Sequence, residues 1–345
     1  MKLNLYSMRL CKRDEYDKLI DFFRKYWNDK HVFCRNKQVF EFQHGTANEG
    51  EYDFVIAIHN ETDEIHAVLG FISSSRYDGG DMENPIFIAG ALWKVRDDVK
   101  NKEVTKLGLG VLYYLLKKFP NAAYITLGLS GFAKQIYTAL HFEFGIMKHY
   151  YIANMNMESF DIAYKPAINK IMCENENYKV DFIESIPDEF DSYYYPTKNK
   201  EYIVNKYIKH PFYKYDLLGV YHNDKLCTIW IIRKIKIKDH ICLRLVDIIG
   251  DMSEIENIQG NVHRLLSKYN AEYIDCYNYG IDENIFLNMG FVQVSEDTII
   301  PNYFEPFEQK NVDIYCAALS KKPVVIFKGD ADQERPNLLE YNKYN

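Results

Sequence analysis

The chain has 345 residues, 47% of them hydrophobic and 15% aromatic, which is enough apolar side chain for two cores of ordinary domain size. A formal charge of −7 supplies no bulk positive field, so no nucleic-acid partner is expected. The seven cysteines (Cys11, Cys34, Cys173, Cys227, Cys242, Cys276, Cys316) include no CxxC pair, no run nears the ~20 apolar residues of a membrane span, and the N-terminal stretch lacks a signal-peptide core; a reduced, cytoplasmic protein without metal or membrane insertion is expected.

Residues 3–8 (LNLYSM) read as a short strand. Residues 14–26 read as an amphipathic helix, with Tyr16, Leu19, Ile20, Phe22, Phe23 and Tyr26 at helical spacing and Asp14 as its N-cap. FEFQHG at 40–45 and a polar loop, TANEGE, come next. Residues 52–58 and 65–72 form a hairpin around the turn at 59–63. The apolar run 86–95 (IFIAGALWKV) is a strand, VLYYLLKKF from Val111 a helix, and 123–129 a second strand. A helix over 130–142 and a strand over 146–154 complete this half.

Between the strand 86–95 and its helix lies Thr105-Lys106-Leu107-Gly108-Leu109-Gly110. Strand, glycine-bearing loop, helix and strand make a βαβ-like unit. Backbone N–H groups left unpaired at a helix start, beside two residues without a Cβ, suit a phosphorylated ligand.

Residues 155–200 hold an amphipathic stretch and then the acidic, tyrosine-rich DEFDSYYYPTKNKE. The domain boundary is placed there, giving a first unit over 1–155, a connecting segment over 156–205 and a second unit over 206–345. The second half repeats the first. Tyr215-Asp216 and His222-Asn223 stand at the spacing of Tyr52-Asp53 and His59-Asn60, and a returning strand follows each. A strand over 241–249, a helix over 256–269, a strand opening Ala271-Glu272-Tyr273-Ile274 and a short helix ending Met289-Gly290-Phe291 keep the order of the first half. Lys234, Lys236 and Lys238, alternating with Ile, read as an edge strand with one wet face.

Hairpin, long strand, glycine loop, helix, strand, helix, strand is an order that resembles the GNAT superfamily of acyl-CoA-dependent N-acyltransferases, here over most of 1–320. The family's pyrophosphate loop, Gln/Arg-x-x-Gly-x-Gly/Ala, aligns with Thr105, Gly108 and Gly110; Thr stands for Gln or Arg, and Lys106 is the neighbouring charge. The later pattern Asn-x-x-Ala-x-x-x-Tyr-x-x-x-Gly-Phe aligns with Ser130, Ala133, Tyr137, His141 and Phe142, with Ser for Asn and His for Gly. The implied fold class is α/β, two GNAT-like units in tandem, each a mixed twisted sheet flanked by helices. In the second copy Asp251, Met252, Ser253 and Glu254 stand at the loop and Phe286 at the tyrosine, so that copy is not expected to bind CoA in the family's way.

The resemblance implies acetyl-CoA or another acyl-CoA as donor, bound by Leu92, Trp93, Lys94 and Val95 of a splayed strand, by Thr105 to Gly110 with Leu107 and Leu109 between, and by Ser130 and Ala133. Tyr137 is implied as the acid that protonates the departing thiolate, since a phenol near pKa ~10 stays protonated at neutral pH. His44 is the candidate base for the acceptor ammonium, with Glu41 and Gln43 as candidate lining of the acceptor site. The expected partner is a small-molecule amine; a nucleotide-linked amino sugar of surface-glycan synthesis is implied by the tandem order and by the C-terminal Asp332, Gln333, Arg335 and Asn337, with Asn302, Tyr303 and Glu305 as similar groups. A homodimer is allowed. Two alternatives stay open: a Fem-type transferase using aminoacyl-tRNA, and a catalytically inactive ligand-binding tandem module.

Overall fold

A computed structural model of the chain describes residues 4–45, 50–168, 175–188, 190 and 192–337. Cys173 and most of the TANEGE loop lie outside the described residues.

In the first half the strands are β1 (Tyr6–Lys12), β2 (Glu51–His59), β3 (Ile65–Ser73), β4 (Phe87–Val95), β5 (Ala123–Leu127), β6 (Glu143–Ile146) and β7 (Lys148–Ala153). The helices are α1 (Tyr16–Tyr26), α2 (Val32–Arg35), α3 (Lys37–His44), α4 (Ser75–Asp78), α5 (Leu107–Lys118) and α6 (Gly131–Ala139). The second half has β8 (Tyr178–Phe182), α7 (Lys200–Ile203), β9 (Tyr215–His222), β10 (Lys225–Ile237), β11 (His240–Gly250), α8 (Gln259–Tyr269), β12 (Ala271–Tyr279), α9 (Glu283–Asn288) and β13 (Val292–Gln293). A small hairpin of β14 (Tyr303–Phe304) and β15 (Phe307–Glu308), then β16 (Tyr315–Leu319) and β17 (Ile326–Phe327), complete the chain.

The strands make two large mixed sheets. The first runs β1-β2-β3-β4-β5-β16-β6, the second β8-β9-β10-β11-β12-β7-β13. Each is antiparallel except for one parallel pair, β4 with β5 and β11 with β12. The order is the same in both, and each sheet takes one strand from the other half of the chain. Residues Cys316–Leu319 pair with β5, while Tyr273–Asn278 of β12 pair with β7. No single position in the chain therefore separates one sheet from the other.

Burial explains the sequence pattern of the first sheet. Its central strands are covered on both faces, so β2 and β3 are near-continuous apolar runs. Val55, Ala57, Leu69 and Phe71 pack with Leu107, Val111, Leu112 and Leu115 of α5. Phe54, Ile56 and Val68 pack on the other face with Leu19, Ile20 and Phe23 of α1 and with Phe33 and Phe40. The far end of that second face meets the second sheet, where Ile72, Phe87, Ala89, Ile125 and Leu127 join Ile229, Ile231, Val246 and Ile249.

Three local expectations change. Asp14 is not the N-cap of α1: a 3-10 turn, Arg13–Glu15, precedes Tyr16, and Glu15 accepts the Lys12 N–H at 3.1 Å while pairing with Arg9. The β10 strand is not an edge strand, since it lies between β9 and β11; only its last residues run past the end of β9, and there Lys234 and Lys236 are exposed. The TKLGLG stretch is not a loop. Val104–Lys106 form a 3-10 turn that runs straight into α5 at Leu107. The helical start lies upstream, where the Asn101 side chain accepts the N–H groups of Glu103 (3.0 Å) and Val104 (2.9 Å).

Candidate active site

The β4 and β5 strands pair only from Phe87/Ala123 to Gly90/Thr126. Beyond that point β4 continues against β3 alone, with a bulge near Gly70, and the two parallel strands part. Ala91, Trp93, Lys94 and Val95 are half-buried on the opened edge, while Leu92 turns into the core. This V-shaped gap at the carboxyl end of a parallel pair is where an extended ligand can add to exposed main-chain groups.

Several of the expected donor residues meet at this gap. Gly108 sits over Trp93 and Val95: a Cβ there would lie 3.3 Å from Val95 Cγ2 and 3.7 Å from Trp93 Nε1. The missing side chain lets α5 press onto β4. Trp93 Nε1 is buried and has no hydrogen-bond partner among the described residues. The Trp93 ring lies 5.5 Å from that of Tyr137, whose hydroxyl shares a 2.8 Å hydrogen bond with the Tyr124 hydroxyl. Burial pushes the Tyr137 phenol up to about 12, so it is protonated at neutral pH. Ser130 is the N-cap of α6, its Oγ accepting the Ala133 N–H at 3.2 Å; Ser thus fills the capping role that Asn could fill at this position.

The phosphate end is less open than its glycines suggest. The N–H groups of Lys106 and Leu107 donate to the carbonyls of Glu103 and Val104, and the Thr105 hydroxyl donates to the Lys102 carbonyl. Thr105 and Lys106 are exposed at the turn, Leu109 is half-buried, and Leu107 and Gly110 face inward.

His44 lies apart from this group. Its ring is enclosed by Phe33, Phe40 and Phe54, and Nδ1 meets the Phe71 carbonyl at 2.9 Å. Burial pushes its pKa well below the usual imidazole value. A neutral ring closed in on all sides is poorly suited to taking a proton from an incoming ammonium, so the base role expected of it does not fit its surroundings. Glu41 is committed to Arg13 (2.9 Å) and to the Tyr52 hydroxyl (2.6 Å).

The C-terminal segment links the two sheets. In the second sheet β11 and β12 also part, after Leu245/Cys276, but there β17 pairs with Asn278 and Tyr279 inside the gap. A Cβ on Gly329 would meet the Val246 carbonyl of β11, so the segment bridges the opening from one strand to the other. The second cleft is filled by its own chain. Phe286, at the position of Tyr137, stacks on Tyr150 of the exchanged strand, ring centroids 4.6 Å apart.

Past this plug the chain returns to the first sheet. Lys198 is clamped between Asp247 and Asp330, each at 2.6 Å, Arg233 Nε meets Glu334 at 2.5 Å, and Arg335 pairs with Asp332. Arg335 also reaches His31 Nε2 at 3.1 Å, and Gln333 lies against Gly128, whose φ of +73° ends β5. A polar cavity of about 200 Å³ lies on one side of this turn, lined by Tyr213, Arg233, Asn302, Tyr303, Glu305, Lys328 and Asn337 among others. Sequence reasoning singled out the tail but not the lysines and arginines that seat it, because none falls in a recognisable motif.

Among the described residues, no helix is long and apolar enough to cross a membrane. No family model matches the sequence, and no curated protein matches it. The fold does have solved counterparts. A GCN5-related N-acetyltransferase from Anabaena variabilis superposes with a TM-score of 0.51 at 8% identity, over 90% of this chain and 72% of that one. A conserved protein of unknown function from Enterococcus faecalis gives a TM-score of 0.50 at 8% identity, again over 90% of this chain and 72% of the other. The mixed α/β architecture, with its sheets flanked by helices, is that of the GCN5-related N-acetyltransferase fold.

Proposed function

We propose that the chain is an acyl-CoA-dependent N-acyltransferase of two GNAT-like units in tandem, with the acyl donor held by the first. The observation that carries this is the opening of β4 from β5 after Gly90, with Trp93 Nε1 unpartnered and the protonated Tyr137 beside it. Acyl-CoA supplies a thioester whose carbonyl accepts hydrogen bonds and whose sulfur leaves as an anion. The edge of Ala91–Val95 binds and orients the acyl arm, and Trp93 keeps water from it. An acceptor amine, having lost its proton, attacks the carbonyl carbon; the N–C bond forms as the C–S bond breaks. The Tyr137 hydroxyl, held in place by Tyr124, gives its proton to the sulfur, and the proton shed by the attacking nitrogen restores the phenol, leaving a neutral amide and free thiol. In this scheme His44 stays neutral and ties α3 to β3.

The second unit is structural in this scheme, because β17 occupies its cleft. The acceptor we favour is a nucleotide-linked amino sugar in the cytoplasm, which would meet the hydrogen-bonding groups of the C-terminal turn. Calorimetric titration with acetyl-CoA tests the donor. A measurable heat that Gly108→Glu abolishes is expected, and absence of binding by acetyl-CoA and longer acyl-CoAs alike would sink the proposal. Thiol release with a panel of nucleotide-linked amino sugars tests the acceptor. Acetyl-CoA binding without turnover on any amine would favour the ligand-binding alternative.

A further inference from the structure

Lys206 is a buried ammonium without an ion-pair partner among the described residues. It lies on a π-helical turn, Val204–Ile208, that extends α7 and turns both Lys206 and Tyr207 inward. Among the described residues its Nζ meets only the Tyr202 hydroxyl, at 2.5 Å, and it lies within 6 Å of the ring centroids of Tyr77, Tyr202 and Tyr207. The carboxylates nearest in charge, Asp247 and Asp330, are already taken by Lys198. Burial therefore outweighs their attraction and pulls the Lys206 pKa down to about 8. An uncompensated buried cation is costly unless a ligand neutralises it.

Lys206 lines a small cavity of about 40 Å³ between α3 and the C-terminal turn. The opposite wall carries Gln43, which is 5% exposed and whose side-chain nitrogen has no hydrogen-bond partner among the described residues. An ammonium without a carboxylate partner and an amide N–H without an acceptor, both among the described residues, thus line one space. The cavity's own carboxylates are engaged, Asp332 with Arg335 and Glu334 with Arg233. The space admits a group of a few heavy atoms and not a whole sugar. Its wall includes Ile72, which packs with Ala89 and Leu127 on the face of the first sheet opposite α5.

We propose that this cavity is an anion subsite in which Lys206 Nζ and the Gln43 amide receive a single carboxylate or phosphate group. Resting on the acyl-transfer reading, we assign that anion to the acceptor: the donor's phosphates belong with α5, on the other face of the sheet. The acceptor is then an amine that also bears a negative charge.

The test uses the full chain with no acyl-CoA present, so a failure of donor binding leaves it intact. The Lys206 titration is followed by NMR of [13C]lysine-labelled protein, with acetate or inorganic phosphate as probe. Saturating anion should move its midpoint up by about one pH unit and raise the melting temperature. Lys206→Met should abolish the thermal shift and Lys206→Arg should keep it. Gln43→Leu, which leaves the lysine in place, should weaken anion binding at least several-fold. A response to acetate alone identifies a carboxylate-bearing acceptor, and one to phosphate alone a phosphorylated one. If neither anion moves the Lys206 midpoint, or if Gln43→Leu and Lys206→Met bind both probes as the parent does, the subsite does not exist.

Discussion

Tyr124 and Tyr137 meet hydroxyl to hydroxyl at 2.8 Å, and neither ring is more than 2% exposed. One side chain comes from β5 and the other from α6, so the bond fixes Tyr137 to the strand that borders the cleft. Desolvation raises both phenols, which keeps the pair neutral across the physiological range.

Tyr137→Phe should slow thiol release by roughly 10- to 100-fold while acetyl-CoA affinity stays unchanged. Tyr124→Phe, which loosens the acid without removing it, should cost less. Steady-state kinetics at neutral pH decide the matter: an unchanged rate for Tyr137→Phe rules out the acid role.

Gly90 is the last β4 residue paired with β5, and a Cβ there would overlap the Tyr124 hydroxyl. Gly90→Ala must therefore push Tyr124 off Tyr137 or shift the strand. We expect a loss of about 1–3 kcal/mol in urea unfolding, together with lower activity. Full retention of both would mean that the rings have room to move.

Arg244 and Asp275 form a buried two-point ion pair, at 3.0 and 2.6 Å, with His149 2.8 Å from the same carboxylate. Arg244→Met should destabilise the fold by roughly 3–5 kcal/mol, because it leaves a buried carboxylate with a neutral imidazole. The parent pair holds the Asp275 pKa below the ordinary range. Its stabilisation is thus present above the unfolded carboxylate pKa and is lost as the pH falls through the folded one. Chemical denaturation from pH 5 down to pH 2 should show the onset of that decline in the parent and a much smaller one in the variant.

Asp53 is the opposite case. It is fully buried, its Oδ2 has no partner among the described residues, and burial lifts its pKa from 3.8 to about 7. The folded chain holds a proton that the unfolded chain gives up, so this site's contribution is complete below the unfolded pKa and is lost as the pH rises through about 7. Asp53→Asn should remove that slope, leaving the variant more stable than the parent at pH 8 by as much as about 4 kcal/mol. Equal pH dependence in the two proteins would place the charge elsewhere.

Apolar runs of strand length made β2 to β5 and β9 to β12 legible, and the repeated Tyr-Asp and His-Asn pairs made the second sheet readable from the first. The strand exchange was not legible. Lys148–Ala153 and Tyr315–Leu319 are apolar runs that would suit either sheet, and nothing local records which neighbour they choose. The β4/β5 opening and its tyrosine were readable because glycine and aromatic spacing reports on the chain nearby. Lys206 was invisible for the converse reason: its burial comes from α3 and a C-terminal turn far away in sequence. Likewise FQHG shows a histidine but not the three Phe rings that close over it.

The exchange of β7 and β16 governs the order in which the molecule can be made. When a ribosome has delivered β5 and β6, the strand that belongs between them has not yet been synthesised. The first sheet waits with two exposed edges until almost the whole chain has emerged, while β7 is already committed to a sheet whose remaining strands also lie ahead. Such distant pairing makes for slow folding and for edges open to intermolecular pairing. Shortened products that end before β16 would then be sticky and unfinished, and a truncation series expressed from the N-terminus should change from aggregated to soluble only once Leu319 is included.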